Sequence, residues 1–186
     1  MIIGLSGTFA SGKDTLSQHL VQNFNFLHVS TGDMVRAVAI AEYGDTERST
    51  LLKTANELRA KRGSGVLAEL AMDHYEKDRS KYMGVIISGV RSLGEANIIQ
   101  AKAGIIVFCD APIEVRYERI KSRHRSNEEL LSFHEFQKSE ELEMHKIHDN
   151  PAVQDIDGVR ELADIIVRND GDKQKFLDDA AQKLGL

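Results

Sequence analysis

The sequence predicts an α/β fold of the doubly wound type, in which a five-stranded parallel sheet carries helices on both faces. Short β-branched runs alternate with segments whose apolar residues recur at helical spacing, which is the pattern of a parallel sheet covered by helices. The first run leads into a glycine-rich turn and then a helix, the usual setting of a ligand site. The length of 186 residues favours one domain over 1–186.

The elements follow from these two periodicities. Strands are predicted at Ile2, Ile3 and Leu5 and at 26–29, 85–88, 105–109 and 165–167. Helices are predicted at 12–23, 33–41, 47–61, 66–78, 95–102, 113–123, 133–146 and 173–184. The segment 122–130 is polar with almost no apolar anchor, so a short mobile lid is predicted at about 122–134.

Composition excludes several function classes. The formal net charge of -5 argues against a protein that coats nucleic acid, because backbone binding needs a basic face. The single cysteine, Cys109, cannot form an internal disulfide, so a reducing, cytoplasmic setting is predicted. No apolar stretch is long enough to span a membrane, and the N-terminus has no signal-like pattern, so neither membrane insertion nor export is expected.

The first fifteen residues carry the strongest motif. Gly7 and Gly12 bracket four residues and Lys13 follows at once, which is the spacing of a P-loop. Asp14 stands where Ser or Thr usually follows the lysine, and Thr15 comes one residue later. Glycines allow backbone N–H groups to turn toward an anion, the helix N-terminus adds positive potential, and the lysine reaches the β- and γ-phosphates. The alternative is a strand, turn and helix that are merely rich in glycine.

Two further segments follow predicted strands, at the edge where ligands of such sheets bind. The second strand leads into Ser-Thr-Gly-Asp-Met-Val-Arg at 30–36, and the third leads into Gly-Val-Arg at 89–91. Each segment ends in an arginine, Arg36 or Arg91, and a guanidinium can clamp a phosphate at two points. The alternative for both arginines is an ordinary solvated side chain.

The order and spacing of GTFASGKDT, STGDMVR and GVR resemble those of the nucleoside monophosphate kinases, of which adenylate kinase is the familiar member. The helix-end arginines, the flap, FHEFQKSEELE and ADIIVRNDGD are closer to the dephospho-CoA-kinase-like branch, which includes archaeal-type nucleotide kinases. The resemblance covers nearly the whole chain, and the P-loop is its most specific part.

This resemblance implies a role for each matching residue. The donor nucleotide would be bound by Gly7, Ala10, Ser11, Gly12, Lys13, Asp14, Thr15, Arg119, Asn169 and Gly171, with Thr15 near the metal. The acceptor would be bound by Thr31, Asp33, Arg36, Gly89, Arg91 and Arg125, within a helical segment at about 31–80. Catalysis would rest on Lys13, Asp33, Arg119 and Arg123, and Arg116 would share the helix face of Arg119 and Arg123.

The implied reaction is transfer of the γ-phosphoryl group of ATP, with Mg2+, to a small nucleotide, by a monomer or small homo-oligomer. A nucleoside monophosphate is the first expectation, and a ribose hydroxyl, as in dephospho-CoA, is the alternative. Asp33 would then orient a phosphate or act as a base toward a hydroxyl, and its structural alternative is a helix N-cap. A P-loop ATPase or a nucleotide-binding regulatory module remains the alternative of another class.

One position departs from the family pattern. Many relatives carry an acidic residue at the end of the third strand, where it helps to hold the magnesium hydration shell, whereas this chain has Ser88. Asp14 or Asp110 could substitute for it, and the sequence does not choose between them.

Other polar groups are predicted to be structural. His145 and His148 are expected to be surface histidines, and Cys109 an inert buried thiol. The three glutamates at 140, 141 and 143 are expected to form a solvated helix face.

Overall fold

The computed structural model describes residues 1–123, 132–144 and 153–186. Within them lies a five-stranded sheet in the order β2-β3-β1-β4-β5, with every neighbouring pair parallel. The strands are β1 Ile2–Gly7, β2 Phe26–Ser30, β3 Gly84–Ser88, β4 Ile105–Asp110 and β5 Ile165–Arg168. All five predicted strands are present, and the predicted fold class is confirmed.

The eight predicted helices are also present. They are α1 Lys13–Phe24, α2 Thr31–Tyr43, α3 Arg48–Arg62, α4 Val66–Glu76, α5 Leu93–Ala101, α6 Ile113–Arg123, α7 Phe133–Met144 and α9 Lys173–Leu184. The structure adds α8, Ile156–Glu161, and a short 3-10 turn, Arg79–Lys81. Helix α8 was not predicted because its six residues give too short a window for helical periodicity. In the described part of the chain, no helix combines the length and the apolar character that crossing a bilayer requires.

The sheet is buried on both faces by two apolar clusters. One cluster packs β1 and β4 against α1 and α9, through residues such as Leu5, Leu16 and Leu177. The other packs β3 against α4 and α5, through residues such as Ile87, Ala71 and Ile99. Continuous apolar strands are expected when helices cover both faces of a parallel sheet. The carboxyl ends of the strands are therefore held by a rigid core.

The entry into α2 corrects one alternative from the sequence. Ser30, not Asp33, is the N-cap, because the Ser30 hydroxyl accepts a hydrogen bond from the Asp33 backbone N–H at 3.1 Å. Asp33 lies in the first turn of the helix, where a negative charge interacts favourably with the helix dipole. The Asp33 side chain is therefore available for contacts other than capping.

A buried ion pair joins the predicted acceptor segment to the start of α5. Glu95 Oε1 accepts from Arg59 Nε at 3.0 Å and lies 2.9 Å from Arg59 Nη2, and both residues are almost fully buried. Glu95 Oε2 accepts from the backbone N–H groups of Arg91 and Ser92, at 2.8 and 3.3 Å. One carboxylate thus fixes α3, the loop after β3 and the N-terminus of α5.

Replacing Glu95 by Ala should destabilise the fold strongly, because it leaves the Arg59 guanidinium buried without its carboxylate and removes a helix cap. We expect a loss of about 3–5 kcal/mol in the free energy of unfolding, measured by urea denaturation. Asp179→Ala is the matched control, because its 2.9 Å pair with Lys183 is solvent-exposed and should be worth less than about 1 kcal/mol. Equal losses in the two variants would contradict this account of Glu95.

Candidate functional site

The P-loop approaches two other strand ends so closely that only glycine fits at two positions. Gly7 has a φ of +137°, and a Cβ there would lie 2.4 Å from the carbonyl oxygen of Cys109 at the end of β4. Gly12 has a φ of +107°, and a Cβ there would lie 2.2 Å from Asn169 Nδ2 just after β5. A side chain at either site would clash and would also impose an unfavourable backbone conformation. The loop geometry therefore explains the glycine spacing.

Lys13 opens α1 and folds back over the loop. Its Nζ donates to the carbonyl oxygens of Gly7 at 2.8 Å and Thr8 at 2.6 Å. Burial, and then the positive charge of Arg91, lower the pKa of Lys13 to about 8, while the negative charges of Asp14 and Glu140 oppose the shift. Lys13 and Arg91 follow the neighbouring strands β1 and β3, so the two predicted phosphate-binding cations start from adjacent strand ends.

Two hydroxyl groups of the loop are buried and lack a hydrogen-bond partner among the described residues. They are Thr8 Oγ1 and Ser11 Oγ, on residues that are 6% and 0% exposed. Buried polar atoms are normally paired, so unsatisfied hydroxyls beside a cationic loop fit a site for an anionic group. Ser11 was predicted as a donor-binding residue, whereas Thr8 was missed because its position inside the P-loop consensus is not specified.

A cleft of about 220 Å³ lies beside the loop. Its lining residues are Ala10, Gly12, Thr15, Arg119, Asn169, Gly171, Lys173 and Phe176. The first six of these were predicted as donor-binding residues, and the structure brings them together. Lys173 and Phe176 were missed because they begin a helix that carries no recognisable motif, and only their position directly after the 169–171 turn could have indicated them.

Arg119 and Asn169 tie the wall of this cleft to the loop. Asn169 Nδ2 donates to the Ser11 carbonyl at 2.8 Å, and Arg119 Nη1 donates to the Ala10 carbonyl at 3.2 Å. Arg119 Nη2 also donates to the side-chain and backbone oxygens of Asn169, at 2.9 and 3.1 Å. The guanidinium therefore spans the P-loop and the end of β5 at the edge of the cleft.

Of two predictions about charged residues near the loop, one was wrong. Arg116 does share the face of Arg119, because its Nη1 donates to the Phe9 carbonyl at 3.3 Å, next to the Ala10 carbonyl that Arg119 contacts, but its guanidinium is buried and its Nε donates to the Ala111 carbonyl at 3.1 Å. Glu140 does not belong to a solvated face, because it is 4% exposed and pairs with Arg116. Phe136 lies four residues before Glu140 on the same helix face and is also buried, and that spacing was the available signal.

The acceptor residues Thr31 and Gly89 meet where β2 and β3 end. Thr31 Oγ1 donates to the Gly89 carbonyl at 2.9 Å, and Gly89 has a φ of +85° with no room for a Cβ beside that hydroxyl. Arg91 follows, with its backbone N–H on Glu95 and its Nη1 donating to Gln154 Oε1 at 3.3 Å. Gln154 was missed because nothing near it in the sequence connects it with the strand ends.

Arg36 and Asp33 form an ion pair on the first turns of α2. Their side chains are 47% and 71% exposed, so the pair is accessible to a ligand. The two predicted residues therefore lie together and act on each other directly.

Ser88, the position that departs from the family pattern, contacts a residue that the sequence analysis did not select. Ser88 Oγ lies 2.7 Å from Nε2 of His28 on the adjacent strand β2. Burial lowers the pKa of His28, against the opposing influence of the Asp14 and Asp33 carboxylates. His28 was missed because a lone histidine inside a strand gives no motif.

Asp110 and Asp14, the two carboxylates that could substitute for the acidic residue missing at Ser88, differ in their contacts. Asp110 Oδ2 accepts from Arg160 at 3.4 Å, so its charge is shared with that arginine. Asp14 lies in the exposed first turn of α1 and acts electrostatically on both Lys13 and His28. Asp14 is therefore the better placed of the two carboxylates.

The donor set fits a magnesium ion that is bound mainly through nucleotide phosphates. The described residues contain no group of three or more His, Cys, Asp or Glu side chains that could hold a metal ion. Mg2+ in kinase sites keeps several waters and takes one or two protein ligands, so the Thr15 hydroxyl at the cleft is sufficient.

Several predicted residues cannot be compared with the structure. The Arg123 side chain, Arg125, His145, His148 and the predicted lid between 124 and 131 lie outside the described residues. Cys109 is buried as expected, and burial raises the pKa of its thiol to about 12, which fits an inert side chain.

Comparison with known proteins gives a family match and several relatives. The model of a family described as "AAA domain" matches residues 6–137. A "UPF0200 protein" of Thermococcus gammatolerans is 28% identical over 180 residues, which cover 95% of this chain and 90% of the relative.

Solved structures share the fold at low sequence identity. The shikimate kinase of Bacteroides thetaiotaomicron has a TM-score of 0.63 and 16% identity, with 100% of this chain and 99% of the other covered. TT1252 from Thermus thermophilus has a TM-score of 0.63 and 18% identity, with 99% and 95% covered. At these identities the likeness shows the fold alone, and it is that of P-loop kinases.

Binding of a polyphosphate should be coupled to proton uptake by Lys13. The Lys13 pKa is about 8 in the free protein, so at pH 9 the amine is mostly neutral, and a bound polyanion favours the ammonium form and raises this pKa. We expect uptake of up to about one proton per ATP at pH 9 and much less from this group at pH 7, where Lys13 is already charged.

Calorimetry in buffers of different ionisation enthalpy measures this uptake. Lys13→Met should lose the additional uptake at pH 9, while Lys102→Met, an exposed lysine at the end of α5, should keep it. Proton release at pH 9 by the unaltered protein would contradict the proposed environment of Lys13.

Proposed function

This chain belongs to the AAA domain family of P-loop proteins, and we propose that it is an ATP-dependent phosphotransferase whose acceptor is a nucleoside monophosphate. The observation that carries the proposal is that the P-loop and the turn that carries Arg91 leave the sheet side by side, because the backbone N–H groups of Gly89 and Val90 donate to the Leu5 carbonyl at 3.0 and 3.3 Å. Lys13 and Arg91 therefore bring two positive charges to neighbouring strand ends, where phosphate groups would be attracted to both. A phosphoryl donor and a phosphorylated acceptor meeting at that point supply such groups.

The donor half of the site supports ATP. The loop offers backbone N–H groups at a helix N-terminus, the Lys13 ammonium and the hydroxyls of Thr8 and Ser11. The adjoining cleft, between Arg119 and Phe176, is open to a nucleoside attached to those phosphates. Apolar contact from Phe176 and polar atoms of Asn169 give it the mixed lining that ligand pockets have.

The acceptor half supports a phosphorylated small molecule. The Arg91 backbone is held by the buried Glu95 carboxylate, and Thr31 and Gly89 shape the adjacent turn. Arg36 lies on the first turns of α2, which starts from the same edge of the sheet. Two arginines from neighbouring strand ends suit a dianionic phosphate better than a neutral hydroxyl.

Phosphoryl transfer of this kind depends on positioning and on the stabilisation of spreading negative charge. Bound Mg2+ would supply further positive charge on the phosphates, and Thr15 is the residue placed to hold it. Lys13 would neutralise charge on the transferring group, and Arg119 would hold the donor beside the loop. Arg123 and Arg125 are proposed to assist from the end of α6 and beyond it.

Transfer to a hydroxyl group is the second candidate, and the exposure of Asp33 favours it. A carboxylate that is 71% exposed near the strand ends could accept a proton from an acceptor hydroxyl. A solved structure with the same fold is named shikimate kinase. The candidate of another class, a P-loop ATPase or regulatory module, is supported by the absence of an acid at Ser88.

Lys13→Ala should lower kcat/KM for transfer by a factor of about 10² to 10³, because one electrostatic group in a kinase site stabilises the transition state by about 2–4 kcal/mol. The melting curve should change little, since the hydrogen bonds of the Lys13 ammonium to described residues go to two carbonyls of its own loop. The assay combines ATP and Mg2+ with a panel of monophosphates and dephospho-CoA, and Lys102→Ala is the control. An unchanged rate in Lys13→Ala would exclude this site, and ATP hydrolysis without any transfer would favour the ATPase.

Substitutions at Arg91, Arg36 and Asp33 should separate the two acceptor classes. With a phosphate acceptor, Arg91→Ala or Arg36→Ala raises the acceptor KM, the donor KM changes little, and Asp33→Asn stays within about tenfold of the unaltered kcat. Arg79→Ala is the matched arginine control, because Arg79 comes before the amino end of β3, whereas Arg91 follows its carboxyl end. A loss of about a hundredfold in kcat for Asp33→Asn, with unchanged KM values, would assign the chain to the hydroxyl kinases.

A further inference from the structure

We propose that His28 is a positioning residue, which commits the Ser88 hydroxyl to accept a hydrogen bond from a water of the magnesium–nucleotide complex. The inference rests on the proposed function and concerns two residues to which no role in this protein has been given. Its starting point is the 2.7 Å contact between His28 Nε2 and Ser88 Oγ.

Ser88 lies directly beside the strand that leads into the P-loop. It pairs in register with Leu5 of β1, two residues before Gly7. The next two backbone N–H groups, of Gly89 and Val90, donate to the Leu5 carbonyl at 3.0 and 3.3 Å. The hydroxyl at the end of β3 is thus fixed next to the origin of the phosphate-binding loop.

His28 reaches this hydroxyl from the edge strand β2. Its register partner is Ile86, two residues before Ser88 on β3, so the two side chains project from the same face of the sheet. The carboxylates of Asp14 on α1 and Asp33 on α2 both act electrostatically on the ring. His28 therefore faces the centre at which the P-loop helix and the acceptor helix begin.

A serine hydroxyl can donate one hydrogen bond and accept two. If it donates to His28 Nε2, both of its lone pairs remain for outside donors, and the waters bound to a magnesium ion are donors. The burial that lowers the His28 pKa favours the neutral ring, which alone can accept at Nε2. The remaining ring proton then lies on Nδ1.

The Ser88–His28 pair would accept a hydrogen bond from a magnesium-bound water without carrying a net charge. In relatives with an acidic residue at this position, a carboxylate would accept that hydrogen bond. A serine hydroxyl without a fixed partner can rotate and donate a hydrogen bond instead of accepting one. The contact with His28 therefore commits the Ser88 oxygen to accepting. Partners of this kind commonly change metal affinity or activity by about 10- to 100-fold when they are removed.

The first experiment compares His28→Leu, Ser88→Ala and the double variant in the transfer assay, with His19→Leu as the matched control. His19 lies on α1 and bonds Asn23 near the other end of that helix. We expect each single change to lower kcat about tenfold, with both KM values within about twofold, and the double variant to be no slower than either single variant. Unchanged kcat in His28→Leu, or losses that multiply in the double variant, would overturn the proposal.

The second experiment restores an acceptor that needs no histidine. In a Ser88→Asp background the carboxylate can accept from the water directly, so His28→Leu should have little further effect on kcat. A further tenfold loss in that background would show that His28 acts by another route and would overturn the proposal. Melting curves of all variants show whether folding is preserved, which is expected because His28 lies on the edge strand β2 and outside the two apolar clusters of the core.

The third experiment does not require transfer. Binding of ADP with and without Mg2+, measured by calorimetry, should show that Mg2+ tightens ADP binding to the unaltered protein and that His28→Leu loses most of this gain. Nitrogen NMR of the histidine ring should show a neutral ring with its proton on Nδ1.

The transfer assay, the ADP-binding measurement and the NMR measurement together distinguish a failure of the proposed function from a failure of the proposed role of His28. If no acceptor in the panel is phosphorylated, the proposed function fails, and the ADP and NMR measurements alone decide the role of His28. An undiminished effect of Mg2+ in His28→Leu, or a proton on Nε2, would overturn that role whatever the outcome of the transfer assay.

Discussion

The site depends on how closely the P-loop backbone packs against the ends of β4 and β5. Gly7 touches the Cys109 carbonyl region and Gly12 touches Asn169, and neither contact leaves room for a side chain. This packing directs the start of α1 and therefore sets where Lys13 stands. The same contacts allow Asn169 and Arg119 to hold the loop carbonyls, so the donor cleft is a consequence of the loop position.

The proposed acceptor half depends on one buried carboxylate in a similar way. Glu95 binds the backbone before α5, caps that helix with Ser92 and neutralises Arg59 from α3. An isolated buried charge is costly, so the helix that carries Arg59 and the loop that carries Arg91 keep a fixed relation. The proposed donor and acceptor halves therefore lie at the carboxyl ends of the neighbouring strands β1 and β3, and both are anchored in the interior.

Local sequence patterns predicted most of the fold, because the spacing of apolar residues that distinguishes strands from helices can be recognised within a short stretch of sequence. The strand ends and the P-loop spacing then placed Lys13, Thr31, Gly89 and Arg91 correctly at one edge. Contacts between distant segments could not be predicted in this way. His28 with Ser88, Arg91 with Gln154 and Arg116 with Glu140 join residues that are 60, 63 and 24 positions apart. Each of these residues looks ordinary in its own window, and only the three-dimensional packing gives it a partner.

Arg91 and Arg36, the two arginines of the proposed acceptor half, differ in how firmly each is held before a ligand binds. This difference bears on which class of acceptor the site would bind. Arg91 has its backbone fixed by Glu95, so less conformational entropy is lost when it binds a phosphate. Among residues 1–123, 132–144 and 153–186, Arg36 is held by an exposed ion pair with Asp33, and such pairs contribute little free energy. A dianionic phosphate can therefore take Arg36 from Asp33 at small cost. A neutral hydroxyl offers the arginine no such gain and would leave the Asp33 carboxylate engaged, so this pair supports the proposal of a phosphorylated acceptor.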